Sequence, residues 1–180
     1  MRSDRQQAVL DAALALVEAG QPVTIGALTA RSGVSNGSIY HHFGSRAGVF
    51  EVLYDDSFAL CVAAMTPALA AGGAEEVVRG LAVRYLDWVA ANPARARFLY
   101  TAPLTVDPAV KAAAFAPVAQ WFAEQAERGR VRGIPSWALD PVVMGPAHEC
   151  ARRFLLGLVD LAEARELVAD AVWGAVAPLG

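Results

Sequence analysis

Apolar residues along this chain recur at spacings of three and four positions, which is the period of an amphipathic helix and not of a strand. The first such face runs from about Asp4 to Glu18, and Gly20 ends it. Alanine, the best helix former, fills many positions between the larger apolar residues. The chain is therefore predicted to be all-α, beginning with a helix whose apolar face is formed by Val9, Ala13, Leu16 and Val17.

Two short helices follow the first one. Thr24 has the side chain of an N-cap for a helix through Ser32, and Gly33 stops that helix. Ser35 caps a second short helix that reaches Phe43. The Gly-Ser pair that follows ends this helix and caps the next one, so a compact three-helix head is expected at the start of the chain.

Six longer helices are predicted after residue 45, which brings the total to about nine. Three of their starts place a capping side chain before a proline, whose missing N–H is no loss at the first helical position: Asn92-Pro93, Asp107-Pro108 and Asp140-Pro141. Asp160 and Glu163 resemble a capping box for the last helix. The six helices are predicted over residues 46 to about 69, 75–91, 93 to about 101, 108 to about 128, 141–156 and 161–177.

The composition fits this helical prediction, with 56% hydrophobic residues and 38 alanines in 180 residues, enough to bury a core without disulfides or metal. Cys61 and Cys150 cannot make a disulfide framework and no secretory signal opens the chain, so a cytoplasmic location is expected. The longest uncharged run, Ser57 to Ala74, has 18 residues. Because polar and helix-breaking residues interrupt it, we interpret it as a buried helix and its exit, not a membrane span.

The segment from Thr24 to Arg46 has the spacing of a helix-turn-helix. Leu28, Val34 and Ile39 are placed so that the first helix of the pair braces the second, and Gly33 supplies the positive φ of the turn. The second helix then presents short polar side chains and two aromatic ones with hydrogen-bonding tips, which suits contact with phosphates and base edges. These outward residues are Ser35, Asn36, Gly37, Ser38, Tyr40 and His41.

The run GVSNGSIYHHFGSR, residues 33–46, closely resembles the DNA-binding segment of TetR-type (TetR/AcrR) transcriptional regulators, whose usual pattern is roughly G-V-S-x-G-x-[LI]-Y-x-H-F-x-[SN]-[KR]. Thr29 and Ser32 depart from the family, which usually has alanine there. The resemblance implies an N-terminal helix-turn-helix head over residues 1–48 and a helical body over residues 49–180 that dimerises and binds an effector. The matching residues are Gly33, Val34, Ser35, Gly37, Ile39, Tyr40, His42, Phe43, Ser45 and Arg46.

The resemblance also implies roles for single residues of the head. Phosphate contacts are expected from Thr24, Ser35, Tyr40 and Arg46. Base reading is expected at the variable positions Asn36, Ser38 and His41, while Gly37 lets the backbone approach the DNA. The second helix of the pair, which Ser35 caps and which reaches Phe43, is called the recognition helix. His42 and Phe43 are expected to be buried beneath it.

Charge divides the chain more sharply than its net value of −3 indicates. Residues 1–50 hold four arginines against three carboxylates, whereas the remainder holds 11 basic against 15 acidic residues. The recognition helix contains neither Lys nor Arg. We therefore expect few phosphate contacts per subunit, some from backbone N–H groups and some from an arm carrying Arg2 and Arg5, and a shallow salt dependence of DNA binding.

Two other motifs point to enzymes, and both lack part of their context. Gly33-Val34-Ser35-Asn36-Gly37 satisfies the G-x-S-x-G pattern of a serine hydrolase, with Asp140 and His148 following in order, but that motif works only where a strand runs into the turn. His148-Glu149 begins a zinc-binding H-E-x-x-H whose fifth position is Arg152. We therefore expect no enzyme, no metal site and no cofactor; the alternative is a helical adaptor or structural protein whose head does not bind DNA.

Aromatic residues set among aliphatic ones fill the body, and each of them either packs in the core or lines a pocket. The effector implied by the resemblance would be apolar or aromatic, with contacts expected at Trp88, Tyr100, Trp121, Phe122, Gln125 and His148.

The last two predicted helices carry apolar stripes rich in small residues, which either seal the subunit's own core or form a two-fold four-helix interface. The stripes are Ala147, Ala151, Phe154, Leu155 and Leu158, and then Leu161, Ala164, Val168, Ala171, Val172 and Ala175. A homodimer would place two recognition helices in successive major grooves of double-stranded DNA, about 34 Å apart, on a palindromic operator. The sequence thus predicts a ligand-responsive DNA-binding regulator, by family habit a repressor.

Overall fold

The structure is a computed structural model that describes residues 3–70, 72–102 and 108–178. Over these ranges it contains nine α-helices and no strand, which confirms the all-α prediction. The helices are α1 (Asp4–Glu18), α2 (Ile25–Ser32), α3 (Asn36–Phe43), α4 (Arg46–Met65), α5 (Ala74–Ala91), α6 (Pro93–Thr101), α7 (Pro108–Glu127), α8 (Gly145–Leu155) and α9 (Leu161–Gly174).

The chain forms two compact units. The first unit comprises Met1–Phe58 and Asn92–Thr105, and the second comprises Ala59–Ala91 and Val106–Gly180. Helix α4 therefore begins in the first unit and ends in the second, and α6 belongs to the first unit.

The core of the first unit forms where α1 packs against α2, α3 and α6. Leu28 on α2 and Ile39 on α3 are fully buried, and Val34 in the turn between them is buried as well. The predicted brace of α3 by α2 is thereby confirmed. The same core contains Leu10, Val49 and Leu53, none of which is more than 1% exposed. Burial of these side chains is what holds the short helices α2 and α3, since helices of this length are marginal in isolation.

The core of the second unit is organised around α5, which packs against α8 and α9. The small residues of the predicted stripes face this core: Ala147 and Ala151 on α8 are fully buried, and Val168 and Val172 on α9 are buried. Ion pairs also join α5 to α9, from Arg79 to Glu166 and Asp170 and from Arg165 to Asp87. The stripes were predicted either to seal the subunit's own core or to form a two-fold interface. These four residues belong to the core of the subunit.

Three predicted helix bounds in the body are wrong: the end of α4, the start of α8 and the end of α9, which stops at Gly174 instead of residue 177. Helix α4 ends at Met65 instead of about residue 69, and a 3-10 turn, Thr66–Ala70, follows it, because Pro67 cannot continue the α-helical hydrogen bonding. Helix α8 begins at Gly145 instead of Pro141. Asp140-Pro141 lies inside a π-helical stretch, Leu139–Met144, which a 3-10 turn, Ser136–Ala138, precedes.

The capping predictions have mixed outcomes. Ser3 and Gln6 form a capping box at the start of α1, which was not predicted. Asn92 is the N-cap residue of α6 but makes no side-chain capping hydrogen bond. The Asp160 carboxylate accepts from the Ala162 N–H, so α9 is capped by Asp160 directly. Asp107 lies outside the described residues.

One helical stretch, Arg46–Ala70, is long and apolar enough to cross a membrane by length and composition alone, with a mean hydropathy of 1.3 over its most apolar window. The core helices of soluble proteins pass the same test, so this is weak support for a membrane span. The prediction of a buried helix holds for only one face. Ser57, Cys61 and Met65 are buried, whereas Leu60 is 47% exposed, because successive side chains point about 100° apart around a helix.

The turn from α3 into α4 has no room for a side chain at residue 48. A Cβ atom placed on Gly48 would overlap the Phe43 carbonyl oxygen and lie 3.1 Å from its carbonyl carbon. The Gly48 N–H donates to the Ser45 hydroxyl at 3.0 Å, which fixes the first turn of α4 against the end of α3.

We expect Gly48→Ala to lower the free energy of unfolding by about 3 kcal/mol, since the clash is with backbone and cannot be relieved by a rotamer change. The matched control is Gly26→Ala on α2, where an added Cβ meets nothing within 4 Å. The control is expected to leave stability unchanged or slightly raised. Urea unfolding followed by circular dichroism measures both, and equal stability of the two variants would contradict the argument.

Candidate nucleic-acid interface

The turn between α2 and α3 is defined by hydrogen bonds that the sequence encodes locally. The Thr24 hydroxyl accepts from the Ala27 N–H at 3.1 Å and caps α2. Gly33 ends α2 with φ of 70°, and its N–H donates to the Thr29 carbonyl at 3.0 Å. The Val34 N–H donates to the Ser32 hydroxyl at 3.1 Å. The predicted cap at Thr24 and stop at Gly33 are confirmed.

Helix α3 is capped at both ends. The Ser35 hydroxyl accepts from the Ser38 N–H at 3.3 Å, and the Gly44 N–H donates to the Tyr40 carbonyl at 2.8 Å. Because Ile39 is fully buried, the opposite face of α3 points away from the core. The predicted outward residues Ser35, Asn36, Gly37, Tyr40 and His41 are all exposed, and Ser38 is half-buried.

The last turn of α3 is less buried than predicted. His42 and Phe43 are half-buried, not buried. Both lie on the same helix face as Ile39, in the last turn of α3. The His42 ring packs edge-on against the His41 ring at a centroid distance of 5.2 Å.

Arg46 is exposed at the start of α4, next to the end of the recognition helix. Its guanidinium carbon lies 5.5 Å from the centroid of the Phe50 ring, a cation–π contact that restrains the side chain. Phe50 in turn meets Phe98 of α6 in an edge-to-face contact at 5.7 Å. Sequence reasoning missed Phe50; an aromatic residue four positions after an arginine on one helix was the available signal.

The surface around α3 offers neutral hydrogen-bonding groups together with a few cations. Hydroxyl, amide and imidazole groups lie on α3 itself, and the exposed arginines of the described head, Arg5, Arg31 and Arg46, lie outside it. Arg2 lies outside the described residues. Such a face can donate to and accept from base edges, while its charge available for phosphates is small.

The hydrolase motif adopts a different local structure from a nucleophile elbow. Helix α2 precedes the turn, where the elbow needs a strand, and the Ser35 hydroxyl is the N-cap of α3. The described residues contain no group of three or more His, Cys, Asp or Glu that could hold a metal ion. Cys61 and Cys150 are free and buried, and burial raises the pKa of the Cys61 thiol to about 12.

The residues predicted to contact an effector are spread over different environments. Tyr100 belongs to the first unit and is exposed; the others belong to the second unit. Trp88, Phe122 and Gln125 are buried, while Trp121 and His148 are half-buried. Phe122 alone of the six lines the more enclosed cavity found in the second unit, of 80 Å³, together with Arg132, Ser136 and Leu139.

His148 on α8 stands in a mixed electrostatic setting. Its Nδ1 lies 3.7 Å from an Asp140 carboxylate oxygen, and its ring packs edge-on against Tyr85 at 5.0 Å. Burial lowers the pKa of His148; the Asp140 carboxylate opposes this shift, and Lys111 adds to it. The net direction is downward, so burial outweighs the ion pair. The neighbouring Glu149 is bound by Arg152 and Arg153, which hold its pKa at about 2.

Comparison with known proteins assigns this architecture. Residues 9–53 match the model of the bacterial regulatory proteins of the tetR family. A search of curated protein sequences finds no match. Residues of the head thus match the tetR family model, and solved structures of TetR family regulators resemble the whole chain, which shows that it shares their fold.

Three solved structures illustrate the likeness. A TetR family transcription regulator from Marinobacter aquaeolei VT8 has a TM-score of 0.80 at 17% identity, covering 97% of this chain and 96% of that one. A protein from Shewanella sp. PV-4 assigned to the same family has a TM-score of 0.80 at 23% identity, covering 99% and 100%. The fatty acid degradation regulator FadR from Bacillus halodurans has a TM-score of 0.75 at 17% identity, covering 93% and 97%. At these identities the likeness shows the fold.

The effects of burial, Asp140 and Lys111 on the pKa of His148 can be tested by titration. Because the folded protein favours the neutral ring, the unfolded chain takes up the proton first as pH falls below 6.5, and folding stability declines there. We expect the NMR titration midpoint of His148 to lie below 6.5, to fall further in Asp140→Asn and to rise in Lys111→Met. His41 in the same spectra is the internal control. A midpoint unaffected by both substitutions would contradict the assigned causes.

Proposed function

We propose that this protein is a one-component transcriptional regulator that binds a palindromic operator as a homodimer and releases it when an effector binds. The head, residues 1–48, contacts DNA, and the body, residues 49–180, holds the effector and the dimer interface. The observation that carries the proposal is the outward polar face of α3, which is capped at both ends and braced through the buried Ile39.

The proposed DNA contacts divide by chemistry. The Ser35 hydroxyl accepts from the Ser38 N–H and keeps its own hydrogen for a phosphate oxygen. Tyr40, 51% exposed, and Arg46 supply further phosphate contacts, as does the Thr24 hydroxyl. In the major groove, base reading falls on Asn36, Ser38 and His41, and Gly37 allows close approach.

The dimer proposal rests on leucines that the subunit leaves exposed. Leu156 and Leu158, just after α8, are 61% and 68% exposed, and Leu167 on α9 is 73% exposed. Contiguous patches of exposed apolar side chains commonly mark protein–protein interfaces, and we propose that these three leucines belong to one such patch. A two-fold interface on this surface would use each leucine twice, once from each subunit.

The effector proposal draws on the family and on the cavity beside Phe122. Its 80 Å³ is well below the roughly 300–1,000 Å³ of drug-sized ligand sites, so binding of such an effector requires the body to open. An opened body that favours a different separation of the two heads would weaken DNA binding by the effector's differential affinity for the two states. The proposed regulator is a cytoplasmic repressor without enzymatic activity.

The DNA contacts are tested with the full chain and the DNA upstream of its own gene. We expect Tyr40→Phe to weaken binding by about tenfold, because it removes a charge-assisted hydrogen bond to phosphate. The matched control is Tyr100→Phe, another exposed tyrosine of the first unit. Fluorescence anisotropy measures both. Absence of sequence-specific binding by the unaltered protein would refute the proposal and favour the alternative, a helical adaptor or structural protein whose head does not bind DNA.

The salt dependence of the same binding reaction tests the small number of cations. The four arginines of each of two heads, the arm residues Arg2 and Arg5 included, predict a slope of log K against log salt of about −7 or shallower. A slope near −10, as a heavily basic repressor shows, would contradict this count.

The dimer interface is tested by Leu167→Asp, which places two carboxylates in the proposed apolar seam. Loss of the leucine's burial, worth about 1.5–3 kcal/mol per side chain, should raise the dimer dissociation constant more than tenfold. Leu60→Asp, at an exposed leucine of α4 in the same unit, is the control. Sedimentation equilibrium separates the outcomes, and a monomeric unaltered protein would refute the dimer.

A further inference from the structure

The recognition helix is tied to α2 by a side-chain hydrogen bond at its first residue. The Thr29 hydroxyl on α2 donates to the Asn36 side-chain oxygen, Oδ1, at 2.7 Å. This is the usual length of an O–H···O hydrogen bond. Asn36 is exposed on the outward face of α3, and Thr29 is half-buried behind it. Asn36 is thus held by a residue that does not itself belong to the recognition helix.

This hydrogen bond changes what Asn36 offers to a partner. A free asparagine amide has two N–H donors and an oxygen with two lone pairs. In this structure the Thr29 hydroxyl uses one acceptor position of Oδ1 and restrains the amide plane, whereas both Nδ2 hydrogens are without an acceptor among the described residues. Asn36 therefore presents mainly donors.

The donor character bears on which base Asn36 selects. Asparagine normally reads adenine with both ends of its amide, because the oxygen accepts from N6 while the nitrogen donates to N7. Guanine presents two acceptors, O6 and N7, on the same edge. Thr29 takes one of the two lone pairs of Oδ1 and holds the amide plane, which leaves Asn36 less free to adopt the two-ended pairing with adenine, whereas both of its donors remain available to guanine.

We propose that Thr29 is a specificity-determining residue, which engages the Asn36 oxygen so that Asn36 selects guanine over adenine at one operator position. The inference rests on the proposed function, since it concerns how the same helix reads DNA. Thr29 acts as a positioning residue, because it reaches the base only through Asn36.

A purely structural role for the same bond makes a different prediction. If Thr29 only joined α2 to α3, its loss would weaken binding to all operators alike and leave the base preference unchanged. Thr29→Val keeps the shape of the side chain and removes the hydroxyl, whereas Thr29→Ser keeps the hydroxyl and removes the methyl group. The pair therefore separates the hydrogen bond from packing.

The experiment has two stages. Selection from a randomised DNA pool with the unaltered protein defines its operator, and selection with Asn36→Ala identifies the position whose base preference depends on Asn36. Dissociation constants are then measured on two operators that differ only by guanine or adenine at that position, with the unaltered protein, Thr29→Val and Thr29→Ser. Melting temperatures of all variants are recorded alongside.

We expect the unaltered protein and Thr29→Ser to favour guanine by about tenfold, and Thr29→Val to lose that preference or turn it toward adenine. A preference for adenine in the unaltered protein, an Asn36→Ala selection with no changed position, or an unchanged guanine preference in Thr29→Val would each overturn the proposal. Failure of the unaltered protein to enrich any sequence would overturn the proposed function itself, which keeps the two failures distinguishable.

Discussion

The close approach of the Phe43 carbonyl to Gly48 is the constraint on which the geometry of the head depends. Because Gly48 has no side chain, α4 can begin directly against the end of α3. The Ser45 hydroxyl then caps α4 by accepting from the Gly48 N–H. That fixed turn carries Arg46 to the edge of the recognition helix, where the Phe50 ring restrains it. Helix α3 itself packs against α2 and α1, with Ile39 fully buried.

Much of the head could be predicted from the sequence because its signals are local. A capping hydroxyl, a glycine at positive φ and a buried residue every three or four positions each act within one turn of helix, and Thr24, Gly33 and Ser35 behave accordingly. The body was predicted less well because some of its helix bounds depend on tertiary packing and not on local signals. Asp140-Pro141 has the local pattern of a helix start, but the backbone there is already coiled in the π-helical stretch, whose Val143 and Met144 are buried. Tertiary burial overrides the cap signal.

The candidate site shows a similar limit. Which residues of α3 point outward follows from the helical period, and Asn36, Tyr40 and His41 are exposed as predicted. The hydrogen bond from Thr29 to Asn36 depends on how two helices cross, which spacing along one chain does not contain. The domain boundary at residue 48 and the contacts assigned to DNA and effector stay predictions.

A recognition helix without Lys or Arg weakens the binding of the protein to non-specific DNA. Non-specific DNA binding is almost entirely electrostatic, and a cell offers roughly 10⁶–10⁹ competing non-specific sites for every operator. A head that reads through neutral groups leaves more of its molecules off that competing DNA than a basic head of equal operator affinity. For the regulator proposed above, few copies per cell would then suffice to occupy the operator, and a small amount of effector would suffice to release it.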